Sequence, residues 1–151
     1  MQKTEIDSFD KSILDHLSIN GRMSVTELSK KIGLSKTPCQ ARIKRLEANG
    51  FITGYRAIID PIKLGLDHVA FVEVKLHDTR DKALAAFNAK VLDIKEIEQC
   101  HMIAGSFDYL LKVRTQNIND YRRIMGEKIS TLPHVSVTST FVAMQAVKEG
   151  G

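Results

Sequence analysis

Hydrophobic residues in the first third of the chain recur at helical spacing and stop at turn signals. Apolar side chains three or four positions apart give a helix one apolar face, so the pattern predicts three helices within residues 6–50. Ser24 and Glu27 have the spacing of a capping box at the start of the second helix, and Ser35 is the predicted cap of the third. Because Gly33 lies in the short turn between these two helices, the pattern predicts a helix-turn-helix.

The third predicted helix, KTPCQARIKRLEANG, has two different faces. At about 100° per residue, Cys39, Ile43 and Leu46 fall on one side, where we expect them to pack on the first two helices. The opposite side has small, amide and cationic side chains, which suit the major groove of DNA. A helical hairpin with a polar outer face is the alternative interpretation. The predicted DNA-contacting residues are Ser35, Lys36, Thr37, Gln40, Ala41, Lys44, Arg45 and Arg56.

The hydrophobic period changes after residue 50. FITGYRAIID alternates or runs apolar, so we expect a strand or a short hairpin, the wing of a winged helix-turn-helix. Arg56 would contact phosphate from this wing, or it is an ordinary solvated arginine. Asp60-Pro61 and Gly65 then indicate a linker. The predicted domains are a winged helix-turn-helix DNA-binding domain at 1–60, a linker at 61–67 and a second domain at 68–151.

The second half of the chain alternates between strand and helix patterns. The predicted order is βαββαβ, with strands at 68–76, 96–103, 108–114 and 135–144 and helices at 81–93 and 119–130. This is the ferredoxin-like pattern, an α+β fold in which the helices cover one face of the sheet. Several strands are apolar on both faces, which indicates that a partner subunit covers the other face in at least a dimer. The helix at 81–93 is expected to bury Leu84, Phe87, Val91 and Leu92.

Charge is distributed unevenly over a chain of ordinary globular composition. Of the 151 residues, 43% are hydrophobic, and the formal net charge is +4. Residues 1–65 contain 11 Lys and Arg against 7 Asp and Glu, whereas residues 66–151 contain 11 of each kind. A basic surplus confined to the helix-turn-helix half favours binding to a polyanion, although a solvated helix face would have the same charge.

The sequence has no segment typical of membrane insertion or export. No apolar run approaches the roughly 20 residues that cross a bilayer, and MQKTEIDSFD has no apolar signal core. Cys39 and Cys100 form neither a disulfide framework nor a metal motif. Cys100 and His101 are neighbours on a predicted strand, so they point to opposite faces. We therefore expect a cytoplasmic protein without a metal or other cofactor.

Two other classes of protein remain as alternatives to a DNA-binding regulator. One is a small ferredoxin-like enzyme with an appended nucleic-acid module, in which Arg80 would bind an anion. No Gly-rich phosphate loop and no nucleophile–base pair accompanies Arg80, so we do not expect an enzyme. The other is an amino-acid-binding assembly protein that has no specific DNA sites.

One carboxylate lies at the start of a predicted strand, in HMIAGSFDYLLKV, residues 101–113. Gly105 and Ser106 indicate a tight turn between two strands, and Asp108 follows at a position where β propensity disfavours aspartate. Asp108 therefore either caps the turn or binds a ligand.

Both halves of the chain resemble the Lrp/AsnC family, the leucine-responsive or feast/famine transcriptional regulators. The resemblance depends on NGRMSVTELSKKIGLSKTPCQARIKRLEANGFITGYRA in the first half and on IEQCHMIAGSFDYLLKV and LPHVSVTSTFVAM in the second. It implies a winged helix-turn-helix joined to a ligand-sensing βαββαβ domain, in dimers that commonly assemble into octamers. It also implies a cytoplasmic, nucleoid-associated regulator of amino-acid metabolism. SKTPCQARIKRLE and LDHVAFVEVKL are most similar to the branch that controls proline or branched-chain amino-acid breakdown.

The resemblance also implies an amino-acid effector bound between dimers. The residues from Gly105 to Asp108 match the family's G-D-x-D effector loop, although Ser106 stands where many relatives carry an acid. Gly105 would let a ligand approach the backbone, and Asp108 would accept a hydrogen bond from the ligand's ammonium group. Apolar members of the site would receive an aliphatic side chain. The implied effector-binding residues are Met102, Gly105, Ser106, Asp108, Ile118, Thr138, Ser139, Phe141, Val142 and Ala143.

Overall fold

Three helices form the first unit of the chain in the computed structural model, which describes residues 5–150; residues 1–4 and 151 lie outside the described range. The helices are α1 (Ser8–Ile19), α2 (Val25–Ile32) and α3 (Lys36–Ala48). The side chains of Ile13, Leu28, Cys39 and Leu46 are fully buried between them, and Ile43 packs against this cluster. The inner face of α3 is therefore the one that its periodicity predicted.

Helices α1 and α2 begin and end at residues whose chemistry explains the boundary. A reciprocal capping box begins α1: the Asp7 side chain accepts from the Asp10 N–H at 2.9 Å, and the Asp10 side chain accepts from the Asp7 N–H at 3.1 Å. At the start of α2, the Ser24 side chain accepts from the Glu27 N–H at 3.1 Å. Gly33 ends α2 with a φ of 74°, a conformation that favours glycine.

The prediction that Ser35 caps α3 is confirmed for its position, but not for its side chain. Ser35 occupies the N-cap position, but its side chain makes no capping hydrogen bond. An N-cap side chain bonds to the N–H of the second or third helical residue. The third residue of α3 is Pro38, which has no N–H. The side chain does not bond to the N–H of the second residue, Thr37, either, and Ser35 is exposed at the start of the helix.

The predicted wing is not a strand in this chain. Residues 51–60 form two bends followed by irregular backbone, and Ile58 and Ile59 are 82% and 63% exposed. A strand exists only where its N–H and C=O groups bond to a neighbouring strand. Within residues 5–150, no segment pairs with this one. The apolar pattern that predicted a strand therefore faces solvent in the single chain.

A four-stranded sheet with two helices on one face forms the second unit, which begins after Ile58. Its elements are β1 (His68–Leu76), α4 (Asp81–Val91), β2 (Ile97–Met102), β3 (Tyr109–Thr115), α5 (Ile118–Ile124) and β4 (Val135–Val142). The strand order is β2-β3-β1-β4, and neighbouring strands are antiparallel. This arrangement confirms the ferredoxin-like βαββαβ prediction.

The core of the second unit lies between the sheet and the helices. Alternate residues of β1 and β3 are buried on this side, and the Phe87 ring of α4 packs on Tyr109 with 4.2 Å between ring centroids. Leu92, which the helical pattern placed on the buried face, is instead 84% exposed because α4 ends at Val91. Ile94, beyond the end of the helix, is buried.

The other face of the sheet carries both aromatic and charged side chains. Phe71 and Phe141, which are paired across β1 and β4, are 37% and 55% exposed. On β3, Lys112 and Arg114 share the Glu149 carboxylate, at 2.7 and 3.3 Å. Exposed aromatic pairs of this kind favour an interface with another subunit.

Candidate DNA-binding and effector sites

The outer face of α3 is exposed and carries the residues predicted to contact DNA bases. Thr37, Gln40, Ala41 and Lys44 are all exposed, whereas Cys39 is buried on the opposite side. In a helix-turn-helix, the second helix of the motif is the one that enters the major groove. The amide, hydroxyl and ammonium groups of this face are the groups that bond to base edges there.

The N-terminus of α3 offers backbone groups that suit a phosphate. Ser35 and Lys36 are exposed at this end. The first N–H groups of a helix have no partner within the helix, and the helix dipole makes this end positive. A phosphate beside Lys36 would meet both the backbone N–H groups and an ammonium group.

Two arginines of α3 are bound to carboxylates at the start of α1. Arg42 Nη1 donates to both Asp7 oxygens, at 2.8 and 2.7 Å, and to Asp10 Oδ1 at 3.0 Å. Its guanidinium also lies 5.3 Å from the centroid of the Phe9 ring. The bonds to Asp7 and Asp10 raise the pKa of Arg42, and the Asp10 N–H and Arg42 lower the pKa of Asp7. Arg42, which was not among the predicted DNA contacts, is therefore a structural cation.

Arg45, which the sequence assigned to phosphate binding, also has a protein partner. Its Nη2 donates to Asp10 Oδ2 at 2.6 Å. The Asp10 side chain is only 1% exposed, whereas that of Arg45 is 48% exposed. A buried carboxylate thus holds one nitrogen of the guanidinium while the rest of the group faces solvent. Sequence reasoning missed Asp10 because 35 positions separate it from Arg45.

Arg56 follows a tyrosine that packs on the helix-turn-helix. The Tyr55 hydroxyl donates to Glu47 Oε1 at 3.4 Å, and a Cβ added to Gly21 would lie 3.4 Å from Tyr55 Cδ1. Burial and the Glu47 carboxylate raise the pKa of Tyr55. The irregular segment that replaces the predicted wing is therefore attached at the C-terminal end of α3. Arg56, next to this attachment, is exposed.

Asp108 extends the pairing between β3 and β1. Its Oδ2 accepts from the Leu76 N–H at 2.7 Å, beyond the last backbone pair of the two strands, Val74 with Tyr109. The Asp108 N–H donates to the Val74 C=O at 2.9 Å, and its C=O accepts from the Ile103 N–H at 2.8 Å. The carboxylate thus satisfies a backbone N–H at the point where the strand pairing ends. The side chain thus bonds to a neighbouring strand and not to its own turn, as a turn-capping aspartate would, and a role toward a ligand stays a prediction.

The loop between β2 and β3 is wider than the predicted tight turn. Residues 104–108 are consecutive bends, closed by the hydrogen bond from Ile103 to Asp108. Gly105 and Ser106 are both exposed in this loop. A Cβ added to Gly105 would meet Cγ2 of Ile103 at 3.7 Å, which is an ordinary contact. The role of Gly105 in ligand approach therefore stays a prediction.

The implied effector-binding residues are spread from one edge strand of the sheet to the other. Met102, on the edge strand β2, pairs with Tyr109 beside the loop that ends at Asp108. Val142, on the other edge strand β4, pairs with Ala70 at the far end of β1. From strand spacing and rise per residue, Met102 and Val142 are on the order of 20 Å apart. One chain therefore does not bring the whole set into a single pocket.

The residues that could serve an enzyme or a metal site are Arg80, which is ion-paired, and two cysteines, whose burial disfavours the thiolate. Arg80 donates to Asp78 through Nε at 3.0 Å and Nη2 at 2.7 Å, and it holds the pKa of Asp78 well below its usual range. Burial raises the pKa of both Cys39 and Cys100, which disfavours the reactive thiolate. Among residues 5–150, no group of three or more His, Cys, Asp or Glu could hold a metal ion. No helix in that range has the length and apolar character to cross a membrane.

An exposed cationic recognition helix, followed by a ferredoxin-like unit, defines a class of DNA-binding protein with a second unit for assembly or sensing. The sequence matches the AsnC-type helix-turn-helix domain over residues 6–47 and the Lrp/AsnC ligand binding domain over residues 69–151. The chain therefore belongs to the Lrp/AsnC family of transcriptional regulators, which confirms the resemblance.

Curated relatives match nearly the whole chain. It is 65% identical over 147 residues to the proline dehydrogenase transcriptional activator of Rhizobium radiobacter, covering 97% of this chain and 94% of the relative. It is 61% identical over 144 residues to the protein of that name from Rhodobacter capsulatus, covering 95% and 94%. It is 43% identical over 145 residues to the leucine-responsive regulatory protein of Escherichia coli K12, covering 96% and 88%. This chain is accordingly a transcription regulator and not an enzyme.

Solved structures agree with this fold over nearly their whole length. A transcriptional regulator from Neisseria meningitidis, solved as its complex with L-Met, superposes with a TM-score of 0.91 at 29% identity, covering 97% of this chain and 94% of that one. An AsnC family transcriptional regulator from Agrobacterium tumefaciens superposes with a TM-score of 0.92 at 30% identity, covering 96% and 94%.

Proposed function

We propose that this chain is a sequence-specific DNA-binding regulator of amino-acid breakdown, controlled by an amino-acid effector. The observation that carries the proposal is the exposed outer face of α3, where Thr37, Gln40, Ala41 and Lys44 point away from the core. Gln40 bonds to an adenine edge, and Lys44 bonds to a guanine or a phosphate. The proposed phosphate contacts around this face are Ser35, Lys36, Arg45 and Arg56.

The proposed target is a gene for proline breakdown. Two relatives, 65% and 61% identical to this chain, are named proline dehydrogenase transcriptional activators. The matched region covers 97% and 95% of this chain in the two comparisons, so it extends across the part that contains the recognition helix. Because a few side chains of that helix read the operator, such similarity supports a similar operator and the same sign of regulation, activation.

The proposed effector site lies where two copies of the chain meet. Two of its residues, Met102 and Val142, are on the order of 20 Å apart, too far for one amino acid to touch both in a single chain. A second copy of the chain can supply the residues that the first copy places too far away. The complex of the Neisseria regulator with L-Met supports an amino acid as the ligand class. The proposed residues are Met102, Gly105, Ser106, Asp108, Ile118, Thr138, Ser139, Phe141, Val142 and Ala143.

The proposed assembly is a dimer that forms a higher oligomer, with an octamer as the expected form. A dimer covers the open face of the sheet and brings two recognition helices to a pseudo-palindromic site. The proposed domain limits are 1–60 for DNA binding and 68–151 for sensing and assembly, with 61–67 as the linker. The protein would act on the nucleoid in the cytoplasm.

Selection of binding sites from a random duplex library, followed by footprinting upstream of a proline dehydrogenase gene, tests this function. We expect the wild-type chain to enrich a pseudo-palindrome and its affinity to fall steeply with salt. Gln40→Ala and Lys44→Ala should lose the sequence preference. Lys82→Ala, which removes one charge at an exposed position of α4, should keep it. Protection that follows no sequence would favour the assembly protein without specific DNA sites.

A further inference from the structure

We infer that Asp10 is a positioning residue for DNA recognition: its buried carboxylate orients α3 and holds the Arg45 guanidinium at the edge of the recognition surface, where it meets a phosphate. This inference depends on the proposed DNA-binding function. It assigns a role to a residue of α1, a helix that contributes none of the proposed DNA contacts.

The Asp10 carboxylate is buried and fully engaged. It is 1% exposed, and it accepts from Arg45 Nη2 at 2.6 Å, from Arg42 Nη1 at 3.0 Å and from the Asp7 N–H at 3.1 Å. A buried carboxylate is stable only when charged partners and hydrogen bonds compensate for lost water. The three donors come from the first turn of α1 and from α3. They therefore fix these two segments relative to each other.

The two arginines bound to Asp10 are not equivalent. Arg42 bonds to two carboxylates and lies over Phe9, and its side chain is only 25% exposed. Arg45 is 48% exposed and has Asp10 as its one ion-pair partner within residues 5–150. A guanidinium has five N–H donors, and among residues 5–150 only Nη2 of Arg45 donates to a carboxylate, so the other donors remain for a phosphate. At 100° per residue, Arg45 lies about 40° around the helix axis from Ala41 on the recognition face.

Apolar packing and the ion pair together determine how α3 is placed. The fully buried apolar cluster of this unit consists of four side chains, of which α3 supplies Cys39 and Leu46, and partly buried apolar residues such as Ile43 pack against it. This packing decides which face of α3 is buried. Charge-assisted hydrogen bonds are directional. The pair between Asp10 and Arg45 therefore adds a directional restraint beside the recognition face and fixes the position of the Arg45 guanidinium.

Removal of the Asp10 charge should change the affinity for the specific DNA site in the direction opposite to that expected from charge repulsion alone. A carboxylate near DNA repels phosphates, so its removal should tighten binding to any duplex if repulsion were its main effect. If Asp10 instead positions α3 and Arg45, its removal weakens binding to the specific site. Binding to other sequences, which depends on net charge, stays unchanged or becomes slightly tighter.

Fluorescence anisotropy with the full chain separates the two effects. The probes are a duplex carrying the site selected by the wild type and a scrambled duplex, titrated over a salt series. Asp10→Asn should bind the selected duplex roughly tenfold more weakly, as expected for a lost charge-assisted hydrogen bond, and the scrambled duplex no more weakly. The slope of log affinity against log salt should shrink by about 0.9, the value for one phosphate contact. Asp15→Asn removes an exposed charge from the same helix and should leave the preference intact.

The remaining outcomes of this experiment also support or contradict the positioning role of Asp10. Three outcomes overturn the inference: equal affinity of Asp10→Asn and wild type for the selected duplex, equal weakening on both duplexes, or tighter binding to both duplexes. If Asp10→Asn shows no cooperative melting, Arg45→Gln decides: reduced preference with normal melting supports the inference, and unchanged preference overturns it. A wild-type chain that selects no sequence would overturn the proposed function itself.

Discussion

The carboxylate of Asp108 accepts a hydrogen bond from the backbone N–H of Leu76 across 2.7 Å, just past the last paired residues of β1 and β3. Aspartate is disfavoured in strands because its side chain competes for local backbone groups. Here the Asp108 side chain instead bonds to a backbone group of a neighbouring strand, 32 positions away in sequence. The carboxylate therefore holds the end of β1 against the loop that contains the proposed effector residues.

Replacing Asp108 should destabilise the fold even without an effector. Asp108→Ala leaves the Leu76 N–H without its acceptor and should lower the free energy of unfolding by about 1–3 kcal/mol. Asp108→Asn keeps an acceptor oxygen and should cost less. Urea unfolding measures both, with Asp93→Ala at an exposed position as the control. Equal stability of wild type and Asp108→Ala would contradict the role of this bond.

An amino-acid effector should raise the melting temperature of the wild type. A ligand that binds only the folded state stabilises it by about 2.7 kcal/mol at 100 times its Kd. A thermal-shift screen against the twenty amino acids should find such a ligand. Met102→Ala should abolish the shift at little cost to the fold, because Met102 is 55% exposed. Met144→Ala, a fully exposed methionine, is the matched control and should keep the shift. The absence of any shift would favour an assembly scaffold.

The two serine caps should respond differently to the same substitution. Ser24→Ala removes the bond to the Glu27 N–H and should cost about 1 kcal/mol. Ser35→Ala should leave stability nearly unchanged, because Pro38 offers no N–H to its side chain. In a Pro38→Ala background, which restores that N–H, Ser35→Ala should become costly. Thermal melting of the four variants checks this, and a costly Ser35→Ala in the native background would disprove the explanation.

The ion pair between Glu96 and Lys128 should make the stability of the folded state depend on pH. Burial raises the pKa of the Glu96 carboxyl, but the Lys128 ammonium, 3.0 Å away, acting together with a backbone hydrogen bond and the Lys95 charge, leaves the pKa below its usual value. A folded-state pKa below the unfolded value means that the pair contributes fully above the unfolded pKa of about 4.3. Its contribution is lost as the pH falls through the folded value.

Melting temperatures between pH 7 and pH 3 measure this dependence. The wild type should lose stability below about pH 4.3, and Glu96→Gln should lose less over the same interval. Lys128→Met, which removes the other partner, should flatten the curve in the same way. Asp15→Asn changes an exposed carboxylate and should follow the wild type. Parallel curves for the wild type and Glu96→Gln would rule out the pair as the cause.

The proposed DNA-binding face was predictable because all the residues proposed to contact bases lie on one helix. The period that buries Cys39 and Leu46 also places Gln40 and Lys44 outside, and α3 has this arrangement. The effector residues could be named only by resemblance. Met102 and Val142 lie on opposite edge strands, and no local pattern says which residues of two copies meet.

The sequence by itself determined the helix-turn-helix, the βαββαβ order and the bounds of β1, because hydrophobic period and turn residues act over a few neighbouring positions. Tertiary structure alone decided that Asp10 holds Arg45 and that Asp108 ends the pairing with β1, since each bond joins residues more than 30 positions apart. It also left residues 51–60 without a strand, because an apolar segment becomes a strand only where another backbone lies beside it to receive its hydrogen bonds.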